Sequence, residues 1–153
     1  MDIVNLYIHH TIKGPGKRKG AYAYVLEYVT DRGNATCTKV GTMEGVTEKQ
    51  AELLVLVEAV ERLKRTCILS VYTSKYHVFT PFEKKWIDRW KENGWLTAKN
   101  KPVANREEWE KMAYLLGRQQ YRFFIGIRHS YLDWMINECK KKEEETWQKQ
   151  ISL

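Results

Sequence analysis

The N-terminal third of the chain carries the pattern that most restricts its fold: three β-rich segments with turn-forming residues between them. Segments 3–9, 21–30 and 35–42 are rich in β-branched and aromatic residues. A Lys- and Gly-rich stretch at 13–20 separates the first two, and residues 31–34 (DRGN) are typical of a tight hairpin turn. Because short connections join antiparallel strands, the sequence predicts an antiparallel meander.

Helical and strand-like patterns alternate through the rest of the chain. Thr47 and Gln50 fit a capping box, and apolar residues at helical spacing predict a helix from there to about Arg65. The segment 76–91 is predicted to form one helix or two short ones, with a break near Pro81. Further helices are predicted over 106–119 and 131–149, and further strands over 67–72 and 121–128. A strand that follows a crossover helix runs parallel to its neighbour. The prediction is therefore an α/β protein with a five-stranded mixed sheet, in the order βββαβααβα.

The length and net charge of the chain restrict the classes of function that it can have. The chain has 153 residues and is 43% hydrophobic, which suits one domain with a real core and excludes wholesale disorder. Its formal net charge is +7, and residues 81–128 hold eleven basic against six acidic residues. This excess favours a polyanionic partner, either nucleic acid or an anionic membrane surface.

The cysteines and the N-terminus give an expectation about compartment. Cys37, Cys67 and Cys139 are widely spaced, which is typical of free thiols rather than of a disulfide framework or a zinc knuckle. The sequence shows neither a signal-peptide pattern nor an apolar run near the ~18 residues of a membrane span. We therefore expect a cytoplasmic protein without a membrane partner.

Residues 86–109 (WIDRWKENGWLTAKNKPVANREEW) form the most specific motif, with three Trp, a Lys-Pro-Val and an Asn before a fourth Trp. This segment resembles the basic handle of bacterial ribonucleases HI. The resemblance to the ribonuclease H-like family covers nearly the whole chain. It implies a ribonuclease H-like domain over 1–142, with the handle at about 81–108, and a charged tail or helix end over 143–153.

The resemblance also implies a chemistry that the residues here only partly match. Family members cut the RNA strand of an RNA/DNA hybrid with two Mg²⁺ ions held by four carboxylates. Glu52 matches the second carboxylate, but His9 and Ser74 stand where the first and third are expected. The fourth position is ambiguous among Asn137, Glu138 and Lys141, and His129 matches a His of the family's catalytic loop.

These replacements predict loss of the two-metal reaction. Mg²⁺ prefers oxygen ligands, and two anions have been exchanged for an imidazole and a hydroxyl. We expect no cofactor, with Mg²⁺ or Mn²⁺ relevant only if the chain is active. Two alternatives stay open: an active nuclease with a rearranged metal site (His9, Glu52, His129 and Asp133 or Glu138), and a module for an unknown protein partner. His9 and Glu52 are the weak candidates for a single metal site.

The handle supplies the candidates for nucleic-acid binding. Trp86, Trp90 and Trp95 match family positions near the DNA strand, although packing beneath the handle explains them equally well. Thr47 matches a family contact to a DNA phosphate and is also a helix cap, and Lys49 stands near the minor groove in the family. Interleaved cations complete the set, namely Lys84, Lys85, Arg89, Lys91, Lys99 and Lys101.

Overall fold

A computed structural model of the protein describes residues 1–148, and its centre is one five-stranded mixed sheet. The strands are β1 (Asp2–His10), β2 (Arg18–Thr30), β3 (Gly33–Val46), β4 (Cys67–Thr73) and β5 (Gln120–Ile125). They lie in the order β3-β2-β1-β4-β5. The first three pair antiparallel, whereas β4 runs parallel to β1 and β5 runs parallel to β4. The predicted meander, crossover and mixed sheet are confirmed.

Helices cover both faces of the sheet. They are α1 (Glu48–Val60), α2 (Phe79–Glu83), α3 (Trp86–Glu92), α4 (Arg106–Gly117) and α5 (Leu132–Glu143), and a π-helical turn, Glu144–Gln148, follows α5. Helices α1 and α4 pack together over one face, and α5 packs against β1, β2 and β3 on the other. Within the predicted charged tail or helix end over 143–153, residues 143–148 are helical, and 149–153 lie outside the described residues. No helix within 1–148 is both long and apolar enough to cross a membrane.

The segment 76–91 forms two short helices, the second of the two predicted alternatives, so the observed order has one helix more than βββαβααβα. The break falls at Lys84 and Lys85, and not at Pro81, which lies buried in the first turn of α2. Proline is tolerated there because the N–H groups of a first turn have no intrahelical partner. Lys85 instead adopts a left-handed backbone with φ of 59°, which starts α3 in a new direction.

Strand ends also differ from the predicted ones. β2 begins at Arg18 inside the stretch expected to be a turn, because Arg18 pairs with Val46 beyond a β-bulge. β3 correspondingly extends to Val46, and α1 ends at Val60 rather than near Arg65. Pairing between β2 and β3 is therefore long enough to include residues 18–20, which were predicted to be a turn because the stretch is rich in Lys and Gly.

The two sheet faces bury different side chains. The larger core lies between the sheet and helices α1 and α4, and includes Leu6, Leu53 and Leu116. The smaller core beneath α5 packs Met135 and Cys139 on Ala21, Ala23, Val25 and Tyr7. The small alanines of β2 allow α5 to approach the sheet closely.

Candidate functional site

A pocket opens at the carboxyl ends of β1 and β4, where the sequence predicted the altered carboxylate positions. Strand alternation turns His9 and His10 to opposite faces of the sheet. His9 lines a cavity of about 250 Å³ together with Ser74 and His129. The structure therefore brings three predicted site residues together. The other lining residues are Ile8, Thr73, Gly126, Ile127, Arg128 and Leu132.

Glu52, which the resemblance matches to the second carboxylate, lies behind Thr73 in the wall of this pocket. Its side chain is fully buried, and it does not line the cavity that His9 and His129 share. Thr73 separates Glu52 from the pocket. Its hydroxyl donates a hydrogen bond to Glu52 Oε1, and Thr73 is also one of the residues that line the pocket. Burial raises the pKa of Glu52 to about 7, although the Thr73 hydrogen bond opposes this. Glu52 is therefore a buried carboxyl group that titrates near pH 7, and not an exposed carboxylate that is fully ionised at that pH.

His129 is held in one orientation by its neighbours. Its Nδ1 accepts a hydrogen bond from the backbone N–H of Tyr131 at 3.2 Å, and its ring centroid lies 4.4 Å from that of Tyr7. Since Nδ1 is an acceptor, the neutral ring carries its proton on Nε2. Burial, with a smaller contribution from Arg128, lowers the pKa of His129, and burial also lowers the pKa of His9. Both imidazoles are therefore mainly neutral near pH 7.

A buried carboxylate outside the predicted site anchors the loop that carries His129. Glu27 is 7% exposed and accepts hydrogen bonds from the Tyr131 hydroxyl, from Asn5 Nδ2 at 2.9 Å and from the Tyr7 hydroxyl at 3.2 Å. Burial disfavours its charged form, but the hydrogen bonds from Asn5 and Tyr131 outweigh it and lower the pKa of Glu27. The sequence analysis missed this residue. The sequence signal that could have identified Glu27 is that it is a lone acidic residue in an otherwise apolar strand segment.

The candidates for the fourth carboxylate do not reach the pocket. Asn137 is exposed, and Glu138 forms an ion pair with Lys141 at 3.7 Å. Asp133 pairs with Arg128 at 3.1 Å on the exposed side of the loop. Within residues 1–148 no group of three or more His, Cys, Asp or Glu side chains is arranged to hold a metal ion.

The handle encloses a second, larger groove of about 420 Å³. Lys49 from the start of α1 lines it together with Trp86 and Trp90, so the structure joins two parts of the predicted binding set. Trp90 lies at the centre of an aromatic cluster, with ring centroids 6.4 Å from Trp86, 6.3 Å from Trp95 and 5.7 Å from Trp109. Thr97 and Asn105, which were not predicted as site residues, also line the groove.

The four tryptophans differ in exposure. Trp109 is 8% exposed and belongs to the main core, whereas Trp86 is 36% exposed at the mouth of the groove. Trp90 and Trp95 are half-buried and pack against the core. Trp90 and Trp95 therefore pack as the packing interpretation predicts, whereas Trp86 is exposed. A contact between these tryptophans and nucleic acid stays a prediction.

The six predicted cations of the handle are exposed and have no acidic partner. Across residues 1–148 no ion pair involves any of them. This holds even for Arg89 and Lys91, which share α3 with Asp88 and Glu92. Two neighbouring cations outside the set are paired, Arg106 with Glu110 and Lys111 with Glu61. The unpaired six are Lys84, Lys85, Arg89, Lys91, Lys99 and Lys101.

The handle backbone is strained. Four non-glycine residues in residues 1–148 have positive φ, and all lie in the handle: Lys85, Trp95, Asn100 and Asn105, with φ of 59° to 61°. Asn tolerates this conformation, but Lys and Trp rarely adopt it. Such outliers persist only where surrounding contacts enforce them, and they cluster at binding sites.

Thr47 acts as the N-cap of α1. Its hydroxyl accepts a hydrogen bond from the backbone N–H of Gln50 at 3.2 Å. This confirms the predicted cap. A phosphate contact at Thr47 stays a prediction.

Comparison with known proteins agrees with this architecture. The RNase H family model matches residues 6–128. Ribonuclease H of Clostridium botulinum (strain Hall) is 33% identical over 147 residues, covering 95% of each chain. Ribonuclease H of Oleidesulfovibrio alaskensis is 36% identical over 111 residues, covering 72% of this chain and 70% of that one.

Solved structures show the same fold at low sequence identity. LC9-RNase H1, described as a type 1 RNase H with the type 2 active-site motif, matches with a TM-score of 0.70 and 13% identity, covering 92% of this chain and 74% of that one. The foamy viral protease-reverse transcriptase in complex with RNA/DNA hybrid matches with a TM-score of 0.62 and 12% identity, covering 95% of this chain and 20% of that one. By the family match and by its sequence relatives, the chain belongs to the RNase H family.

Proposed function

We propose that this protein is a ribonuclease H-like domain that binds RNA/DNA hybrid or duplex nucleic acid through its handle and no longer performs the two-Mg²⁺ reaction. The observation that carries the proposal is the handle, where six exposed cations without acidic partners lie in the same segment as Trp86, which lines a groove together with Lys49. Unpaired Lys and Arg side chains are free to replace the counterions of a phosphate backbone. Exposed aromatic rings beside them offer a surface for bases or sugars.

The start of α1 extends this surface. Thr47 and Lys49 lie at the first turn of a 13-residue helix, and the backbone N–H groups of a helix start favour phosphate. Lys49 shares the groove with Trp86 and Trp90, so one duplex can touch helix and handle together. A relative of the same fold was solved in complex with RNA/DNA hybrid, which supports hybrid as the ligand to test first.

The pocket at His9 supports loss of metal chemistry. Two Mg²⁺ ions need several carboxylate oxygens, but the residues that line this pocket supply imidazole, hydroxyl and guanidinium groups. Glu52 is the one retained carboxylate, and it is buried behind Thr73. This donor set does not fit two Mg²⁺ ions.

Binding is tested by fluorescence anisotropy with a labelled RNA/DNA hybrid and a matched DNA duplex. We expect affinity for the hybrid to fall steeply between about 50 mM and 200 mM salt, because each phosphate contact releases counterions. An affinity that does not change with salt, or no binding at low salt, would overturn the proposal.

Activity is tested on the same hybrid with Mg²⁺, Mn²⁺ or Zn²⁺. We expect no cleavage of the RNA strand with any of the three. Cleavage that disappears in the Glu52→Gln variant would show instead an active nuclease with a rearranged metal site.

A further inference from the structure

The pocket of His9, Ser74 and His129 has the properties of an anion site. The residues that line it include no carboxylate: Asp133 pairs with Arg128 on the exposed side of the loop, and Glu52 lies buried behind Thr73 with its pKa raised to about 7. A carboxylate cage repels a phosphodiester unless cations lie between them. Because its lining holds no carboxylate, this pocket repels a phosphodiester less than such a cage does.

The groups that line the pocket are hydrogen-bond donors with free capacity. His129 Nδ1 is occupied by the Tyr131 N–H, so Nε2–H remains as its donor. In residues 1–148 the side chains of His9 and Ser74 make no hydrogen bond to the protein. Arg128 uses one nitrogen for Asp133 and keeps further N–H groups in solvent.

The pocket is also preorganised. The His129 ring packs on Tyr7 with centroids 4.4 Å apart, and Tyr131 is tied to buried Glu27. A donor that is already fixed loses little entropy when it binds a ligand. The Tyr131–Glu27 contact therefore holds the His129 loop in place without any metal ion.

We propose that this pocket binds one phosphodiester group of the nucleic acid directly and without a metal ion, through His129 Nε2–H, the Ser74 hydroxyl and the Arg128 guanidinium, with His9 as a further donor. The inference rests on the proposed function, since it assumes that nucleic acid lies across the same face. It assigns to the former metal position a role in holding the backbone rather than in cutting it.

The test measures hybrid binding in EDTA for wild type and for the double variant His9→Asp with Ser74→Asp. Two carboxylates in the pocket would repel the phosphodiester, so we expect about tenfold weaker binding or more. The matched control is Ala35→Asp with Thr38→Asp, which adds two negative charges at exposed positions on β3, an edge strand of the sheet. We expect the control to lose less than about threefold.

A second variant removes the donor without adding charge. His129→Asn keeps an oxygen acceptor near the Nδ1 position for the Tyr131 N–H but lacks Nε2–H, and we expect binding in EDTA to weaken by about threefold to tenfold. Thermal unfolding of each variant establishes that it is folded before binding is measured.

The outcomes separate this inference from the proposed function. If wild type does not bind hybrid, the proposed function fails. If wild type binds, but the pocket variants match the β3 control and wild type, nucleic acid is held by the handle alone and the phosphodiester pocket is wrong. If wild-type binding requires Mg²⁺ and is lost in EDTA, metal-free binding is also wrong.

Discussion

The handle and the His9 pocket differ in the groups that they offer to a ligand. The handle exposes six cations and Trp86, whereas the residues that line the pocket supply imidazole, hydroxyl and guanidinium groups and no carboxylate. The two kinds of site tolerate substitution differently. A cationic surface gains affinity by nearly independent phosphate contacts, so losing one is tolerated. A two-metal centre acts only when its carboxylates are present together, which is why the proposed function keeps nucleic-acid binding and gives up the metal chemistry.

The largest expected effect separates the structural tryptophan from the accessible one. Trp109→Ala should lower the free energy of unfolding by about 3–5 kcal/mol, because it leaves a cavity in the main core. Trp86→Ala should cost less than about 1 kcal/mol in stability, since it is already partly exposed, but should weaken hybrid binding about tenfold. Urea denaturation and anisotropy measure the two effects. Equal stability losses would contradict this division of the handle.

The next effect concerns the buried acid behind the pocket. The pKa of Glu52 is about 7 in the folded protein, above its ordinary value of 4.5. The protonated carboxyl therefore stabilises the fold fully below pH 4.5, and this contribution is lost as pH rises through 7. Wild type should lose about 2–3 kcal/mol of unfolding free energy between pH 5 and pH 8 relative to Glu52→Gln. If the unfolding free energies of the two proteins changed with pH in parallel, Glu52 would be solvated in the folded protein, or another group would compensate for its burial.

A smaller effect tests the electrostatics of the handle. Lys84→Ala with Lys85→Ala should lower the slope of log affinity against log salt by about 2, because two phosphate contacts are lost. The matched control is Arg122→Ala with Lys140→Ala, two exposed cations on β5 and α5, away from the handle. An equal change of slope in both variants would mean that net charge, and not the handle, determines binding.

The smallest effect concerns the anchor of the His129 loop. Tyr131→Phe removes the hydroxyl that donates to Glu27 and should lower the unfolding free energy by about 1 kcal/mol. Amide exchange at Tyr131 should accelerate, since its N–H is held by the loop geometry at His129. Tyr114→Phe, at a residue that is 65% exposed, is the control and should change neither quantity.

The fold could be predicted from the sequence further than the site could. Strand periodicity, the hairpin residues and the Thr47 cap are local signals, and they fixed the meander, the crossover and the start of α1. The break at Lys85 could not be predicted in the same way. It depends on a left-handed residue that no local propensity favours, and only the packing of the handle enforces it.

The candidate site, like the fold, could be predicted from the sequence only where local patterns determine it. Strand parity and the motif matches predicted that His9 would face the position of the first carboxylate, and the structure brings it together with Ser74 and His129. Sequence reasoning could not show that Glu52 would be sealed behind Thr73, because burial depends on residues distant in the chain. The role of Glu27 was hidden for the same reason, since its partner Tyr131 lies 104 positions away.

The sequence by itself determined the βββα beginning of the fold, the family, and the cationic and aromatic character of the handle, since periodicity, motif and charge are properties of residue type and spacing. Tertiary structure alone decided which tryptophan is core and which is accessible, and which cations lack acidic partners. It also decided that the Glu52 carboxyl group is buried while the imidazoles of His9 and His129 line the open pocket. These are properties of distance and burial, which arise only when segments far apart in the chain pack together.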